Sequence, residues 1–432
     1  MGLTILHKAI ATPRKPFDLA QYRRQNYTFL LAWKQKPGLY RDASRTGYPW
    51  FIHLRSWGGP TEAFEARVRK LFDEYPGNVG LIINDEPSRH GVYGKPGKPV
   101  NDFLSTGTVL IRLRKEFPEK LILSNIGGTG GLPKHYFGRL KDPTPEQIAE
   151  GKNYGYSEYV HDFVNLVQPD VLMFDAYIFK YGQGNESGVT QCWYQSLWGI
   201  RHAGLKAGIP YWAWMQTWDR PAKRGYNVRL PSESDYRMNV FSVLTYGFKG
   251  IADFLYCGAH KRDILMPDGM PSPLYAPAAK VHAEVRRIGR SLRFLTSTHI
   301  AFLPGSKESA CAAFLKNWAP GAGGDGKIRS LRVVNGSKHR TGLIGYFKDD
   351  AGQRYFMLTN LYQHAHRSAD ETAVTFRITF DPKVRALLRL SRETGKVERL
   401  KIDNAADGLT LTLPGGTGDL FKYDTGPFAG LK

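Results

Sequence analysis

Cysteine is scarce in this chain: Cys192, Cys257 and Cys311 are the three among 432 residues. An odd number without Cys-x-x-Cys or Cys/His spacing argues against a disulfide framework and offers no zinc ligand set, so no metal is expected. Long apolar runs are also missing. No stretch approaches the ~20 residues of a membrane-spanning helix, so no membrane partner is expected. The opening Met1–Lys8 lacks the apolar core of a secretory signal. Phosphate-binding loops, nucleotide motifs and His-rich clusters are absent, and the glycines between Gly127 and Gly131 precede no clear helix, so no cofactor is expected. Acidic residues are few: 39 Asp and Glu stand against 60 Lys and Arg, a formal charge of +21. The excess is spread along the chain, and residues 1–60 carry ten Lys or Arg against Asp18 and Asp42 alone. Such a balance suits an anionic partner. Zinc-finger, ribonucleoprotein and basic-helix patterns are lacking, which argues against nucleic acid.

What is present alternates. A chain of this length exceeds one ordinary core, so two domains are expected. Its first part shows short apolar runs, near residues 27, 48, 80, 120, 170, 210 and 250, separated by stretches with helical periodicity. Thr61–Glu74 is an example, with Phe64, Val68, Leu71 and Phe72 on one face. Strand and helix recurring at about 40-residue spacing predict a parallel sheet built from βα units. Seven strands are clear and a (β/α)8 barrel needs eight, so the first is expected to be degraded near Leu3–Leu6 or missing upstream. A secreted or periplasmic protein is expected, with its export signal absent from this chain. From about residue 298 the texture changes to short alternating runs divided by Gly-rich turns, including 320–326 and 414–418. The expectation is therefore an α/β TIM barrel over residues 1–297 and a C-terminal all-β sandwich over residues 298–432.

Gly80-Leu-Ile-Ile-Asn-Asp-Glu-Pro87 organises the first part. Four apolar residues without helical spacing read as a strand buried on both faces, and Pro87 ends it. Asn84, Asp85 and Glu86 then stand at the carboxyl end of a strand, where barrel enzymes keep their chemistry. The same end of other strands would gather Trp33, His53, Asn125, Asp175, Tyr177, Trp214, Gln216, Trp218 and Tyr256, with Trp57 near His53. Two carboxylates on different strands, among aromatic faces and amides, suit hydrolysis of a glycosidic bond. Asp85 reads as a group that orients a neighbour or a hydroxyl. His53 is equally a packed histidine. Asp235 reads as the acid of a helix-capping box. Arg237 would pair with it or bind an anion, and Asp253 faces a buried basic partner. Lys34, Arg55, Arg89 and Lys180 follow strand ends, as solvated loop charges or as a basic ring around the mouth.

Asn84-Asp85-Glu86-Pro87 resembles the Asn-Glu-Pro acid/base motif on the fourth strand of clan-A-type retaining glycoside hydrolases. Several later pieces, in order, resemble bacterial barrel hydrolases distantly similar to family-42 β-galactosidases and to polysaccharide-degrading hydrolases of marine bacteria. They are Phe174-Asp175-Ala-Tyr177, Ile209-Pro-Tyr-Trp212 with Gln216, Pro231-Ser232 with Asp235 and Arg237, and Tyr246-Gly-Phe-Lys-Gly250 with Phe254 and Tyr256. The resemblance spans about residues 20–260 and implies Glu86 as acid/base. It also exposes a departure: the clan's nucleophile is a glutamate on the seventh strand, where this chain has Gln216. Asp175 on the sixth strand becomes the candidate nucleophile. The expected activity is retaining hydrolysis of an anionic, sulfated polysaccharide, with fucan or carrageenan first. The charge supports only the word anionic; sulfation comes from the resemblance. The alternatives are a galactosidase-like exo-enzyme on neutral glycans and a non-catalytic carbohydrate-binding barrel.

Overall fold

The computed structural model describes residues 4–9, 18–33, 37–56, 60–87, 102–129, 154–182, 192–223, 226–257, 262–303, 317–334 and 341–431. Lys34, Trp57 and Arg89 lie outside them. Eight parallel strands close into a barrel: β1 (Thr4–Ala9), β2 (Leu30–Ala32), β3 (Trp50–Leu54), β4 (Asn78–Asp85), β5 (Leu121–Gly127), β6 (Leu172–Asp175), β7 (Tyr211–Gln216) and β10 (Gly250–Cys257). The degraded segment near Leu3–Leu6 is thus a true strand, and β1 closes the ring by pairing with β10 and β2. Between β7 and β10 the chain adds a hairpin, β8 (Arg220–Lys223) and β9 (Tyr226–Val228).

Alternation along each strand divides the apolar residues between two cores. Leu31, Phe51, Ile82, Leu123, Met173, Trp212, Trp214 and Ala252 point into the barrel. Leu30, Ile52, Leu81, Ile122, Leu172, Tyr211 and Ile251 point outward, against the helices. These are α1 (Leu19–Arg23), α2 (Pro37–Arg45), α3 (Glu62–Glu74), α4 (Phe103–Glu116), α5 (Tyr154–Val167), α6 (Cys192–Ala207), α7 (Glu233–Thr245) and α8 (Tyr275–Leu292). Local capping fixes several starts. Thr61 accepts from the Phe64 N–H, and Ser232 with Asp235 forms a reciprocal capping box.

The C-terminal part holds a six-stranded antiparallel sheet, ordered β11 (Thr296–Phe302), β13 (Gly342–Lys348), β14 (Arg354–Asn360), β19 (Gly418–Tyr423), β16 (Ala386–Leu390), β17 (Val397–Lys401). A three-stranded sheet faces it: β12 (Ile328–Val333), β15 (Val374–Phe380) and β18 (Leu409–Leu413). Ile344, Phe356, Leu358 and Phe421 meet Phe376, Ile378 and Leu413 between the sheets. The other face of the larger sheet, with Leu343, Phe347, Met357 and Leu420, joins the core outside the barrel. Helix α7 lies at that junction, and every residue from Ser234 to Thr245 is buried.

Lys249, just before β10, donates through Nζ to the carbonyls of Leu292 (2.8 Å) and Leu295, at the end of α8. A cation there complements the helix dipole. Burial nevertheless pulls its ammonium down to about 7. Between that value and the unfolded value of about 10.4, the unfolded chain binds more protons, so stability rises with pH across this window. The slope from this group is at most about 1.4 kcal/mol per pH unit. Urea melts at pH 7 and 9 are expected to show the rise in wild type and a flatter response in Lys249→Met.

Candidate functional site

The mouth is shaped by an irregularity at the end of β4. From Ile82 to Asp85 this strand uses three steps where β5 uses two, from Leu123 to Asn125. Asn84 occupies the extra position with φ 50°. This is a β-bulge with its left-handed residue an asparagine, among the non-glycine types that tolerate it best. The bulge restores Asp85, rather than Asn84, to the inward phase of Ile82. Glu86 follows at φ 51°, and its N–H donates to the Asn125 carbonyl at 2.9 Å. A left-handed glutamate costs about 1 kcal/mol, so β4 holds strain at the residue expected to do chemistry.

Asn125 joins the two sides of the mouth. Its Nδ2 donates to Asp85 Oδ1 at 3.1 Å and to Asp175 Oδ1 at 2.8 Å, and its Oδ1 accepts from Trp214 Nε1 at 3.0 Å. Two oxygens that share one donor nitrogen stand no more than about 6 Å apart. The carboxylates of β4 and β6 are therefore held beside each other, half-buried, by an amide whose own rotation the indole fixes. Aromatic rings pack around them, with Trp33, His53, Trp214 and Trp218 buried and Tyr177 and Phe254 half-buried. Trp33 stacks on His53 at 3.7 Å between centroids and meets Trp214 edge-on. Tyr177 lies 5.1 Å from Trp218 and 5.3 Å from Phe254. Trp33, His53, Asp85, Asn125, Asp175, Tyr177, Trp214 and Trp218 thus gather at one end of the barrel, beside Glu86.

Three expected substrate contacts are placed elsewhere. Asn84 is fully buried and faces outward: its Oδ1 accepts from the Ser56 N–H, and its Nδ2 donates to Ser56 Oγ and Thr106 Oγ1, all at 2.9 Å. The bulge turned it away. Tyr256 packs against Tyr22 and Tyr27 in the outer core. Gln216 keeps the inward phase of Trp212 and Trp214, but it is covered. Its Oε1 accepts from the Phe179 N–H (2.9 Å), and its Nε2 donates to the carbonyls of Phe179 (2.9 Å) and Arg229 (2.8 Å). The amide is a clamp between the loop after β6 and the segment after β9. A carboxylate there would face two carbonyls and lose both donors. Gln216→Glu, which puts a carboxylate at this position, is expected to gain no activity and to lose at least about 2 kcal/mol of stability. Thermal melts paired with glycan-hydrolysis assays check both halves.

No family model matches the chain, and no curated protein sequence matches it. Solved structures do. The chain is similar to the β-galactosidase of the psychrophilic Marinomonas ef1, with a TM-score of 0.42 and 11% identity over 67% of this chain. It spans 60% of that enzyme's length. It is similar to α-galactosidase I from Mortierella vinacea (TM-score 0.45, 9% identity, 99% of each chain). A further match is xylanase 10B from Thermotoga maritima (TM-score 0.40, 9% identity, 65% of this chain and 95% of that one).

Phe254, named in the sequence only among the pieces of the resemblance, is a neighbour of the site, and its alternation with Ala252 on β10 is the signal for it. The charges behind the mouth are mostly engaged. Asp235 pairs with Arg229 at 2.5 Å as well as capping α7, so Arg237 is not its partner. Asp219 is buried and bound by Arg262 and Tyr181. Asp253 has the buried basic partner expected of it, His282, 3.1 Å away, and accepts from Tyr27 and Tyr236. Burial first, and then the Asp253 charge, hold both phenols well above their ordinary range, so they remain donors.

Proposed function

We propose that this chain is a retaining glycoside hydrolase of an anionic, sulfated polysaccharide, with Glu86 as acid/base and Asp175 as nucleophile. The observation that carries the reading is the Asn125 amide at the carboxyl ends of the strands: its side chain ties Asp175 on β6 to Asp85 on β4, and its carbonyl accepts from the N–H of the next residue, Glu86. Barrel chemistry occurs at that end. In the first step Glu86 protonates the leaving oxygen while Asp175 attacks the anomeric carbon, giving a glycosyl-enzyme. In the second, Glu86 takes a proton from the water that releases the sugar. Asn125 orients Asp175, and Asp85 orients Asn125. Tyr177 and Phe254, half-buried, offer ring faces to the sugar, and Trp33, Trp214 and Trp218 pack behind them.

The formal charge of +21 supports an anionic substrate. Sulfated fucan and carrageenan are the first candidates, and a polymer of that kind calls for a secreted or periplasmic enzyme. The test is reducing-end release from sulfated fucan, carrageenan, uronate-containing and neutral glycans, by wild type, Glu86→Gln and Asp175→Asn side by side. Release from one anionic glycan, lost in both variants, is the expected result. Cleavage of aryl galactosides that salt leaves unchanged would favour the neutral-substrate exo-enzyme instead. Glycan binding without release by any of the three proteins would make the barrel a binding module.

A further inference from the structure

A second charged concavity lies on the C-terminal sandwich, apart from the barrel mouth. It is a cleft of about 390 Å³, lined by Gly326, Lys327, Asp381, Lys383, Arg385 and Tyr423, with Asp424 and Thr425 at its side. That volume is in the range of small-ligand clefts, about 300–1,000 Å³. The turn before β12 supplies Lys327, the turn between β15 and β16 supplies Asp381 to Arg385, and the end of β19 supplies Tyr423 to Thr425.

The charges in the cleft do not cancel. Asp381 is bound by Arg329 at 2.5 Å, and Asp424 by Arg399 at 2.8 Å. Both arginines come from outside the lining, so each acid has an ion-pair partner that the cleft does not supply. The backbone N–H of Lys383 and the Arg329 guanidinium hold the Asp381 carboxyl below its usual range, so it stays ionised within that pair. Lys327, Lys383 and Arg385 are exposed, and none forms an ion pair among the described residues. Lys327 is nevertheless positioned: its Nζ sits 4.3 Å above the Tyr423 ring, whose hydroxyl is anchored on Asp325 at 2.5 Å. Three cations on two segments, Lys327 before β12 and Lys383 with Arg385 between β15 and β16, therefore converge on one cleft. Guanidinium and ammonium groups so placed suit sulfate or carboxylate oxygens.

We infer that this cleft is an accessory binding site for an anionic saccharide, one that holds the sulfate- or carboxylate-bearing chain on the sandwich while the barrel acts on it. The inference rests on the proposed function for its ligand class, but binding is measured without turnover, so the two fail separately. A duplex is disfavoured because the lining is one small concavity rather than an extended basic face.

The experiment compares binding of the full-length protein to dextran sulfate, polyuronate and duplex DNA across a salt series. Three proteins are used: wild type, the triple variant Lys327→Ala/Lys383→Ala/Arg385→Ala, and a control triple variant Lys70→Ala/Lys115→Ala/Lys280→Ala. The control removes the same charge from exposed barrel positions. The cleft variant is expected to bind the anionic saccharides at least about tenfold more weakly, with a salt slope shallower by about two to three. The control should stay near wild type, and cleavage of small soluble substrates should be unchanged in both variants. Preference between dextran sulfate and polyuronate identifies the anion. Equal losses in the two triple variants, or none in the cleft variant, would overturn the assignment. Tighter binding of duplex DNA that depends on the same three residues would overturn it in favour of nucleic acid. Loss of catalysis in Asp175→Asn has no bearing on these outcomes, and a wild type inactive on every glycan still reports on the cleft.

Discussion

Asp175→Asn is expected to lower glycan hydrolysis by about 10⁴-fold or more while leaving the fold intact. The inward position at the end of β6 and the 2.8 Å bond from Asn125 both survive the change, because an amide oxygen can accept where the carboxylate did. The proposed nucleophile does not survive it. Glu86→Gln is expected to cost about 10²–10⁴-fold, the worth of a positioned general acid, and less on aryl glycosides whose leaving group needs no proton. That contrast separates the two roles. Added azide should restore turnover in Glu86→Ala with the anomeric configuration of the substrate, and in Asp175→Ala with the opposite one. The configuration of the first product, followed by NMR, checks retention in wild type. A fully active Asp175→Asn would sink the assignment, and Asp85, bound to the same amide, would be the next carboxylate to test.

Most of the architecture is legible in the sequence, because each barrel strand is written locally as an apolar run followed by polar residues. The mouth residues followed wherever strict alternation holds: Trp33, His53, Asn125, Asp175 and Trp214 keep the phase of the barrel interior. Alternation fails at the β4 bulge, where one inserted residue exchanges the directions of Asn84 and Asp85. Nothing in a period-two pattern announces it. Gln216 kept its phase but not its access, since the groups that cover it, at Phe179 and Arg229, come from loops whose placement is tertiary. Strand β19 is hard to read in the sequence for a different reason. Asp419 and Lys422 interrupt its apolar pattern, yet both are buried in the middle of a sheet. Arg392 and Arg389 neutralise the first, and the carbonyls of Gly426 and Pro427 take the ammonium of the second. Helix α2 was hidden by its opening Pro37-Gly38, residues that read as a turn although proline is well suited to a first helical position.

The same buried charges give the largest expected effect on stability. Arg237 on α7 holds Glu284 on α8 through two bonds, of 2.7 and 3.0 Å, and also reaches Glu233 and Thr417. Arg392 approaches Glu284 at 3.6 Å and binds Asp419 on β19. Arg237, Glu284 and Asp419 are each at most 2% exposed, so the chain of charges runs from the barrel helices into the sandwich largely buried. Packing at that seam is equally close. A side chain on Gly416 (φ 68°) would come within 2.3 Å of Met238 N and Ser234 O on α7, so only glycine fits there. Glu284→Ala leaves two guanidinium groups without their shared acceptor and is expected to cost about 3–5 kcal/mol. The double variant Glu284→Leu/Arg237→Met, which removes the charges together, should be less destabilised than the single one, because apolar replacement of a buried pair is often close to neutral. Urea unfolding followed by tryptophan fluorescence and far-UV circular dichroism checks both effects. In wild type the two probes should coincide, since the network and the seam make barrel and sandwich unfold together. In Glu284→Ala they should separate if the buried charges are what couples them. A single coincident transition at the wild-type midpoint would show that apolar packing around α7 couples the two parts without help from the ions.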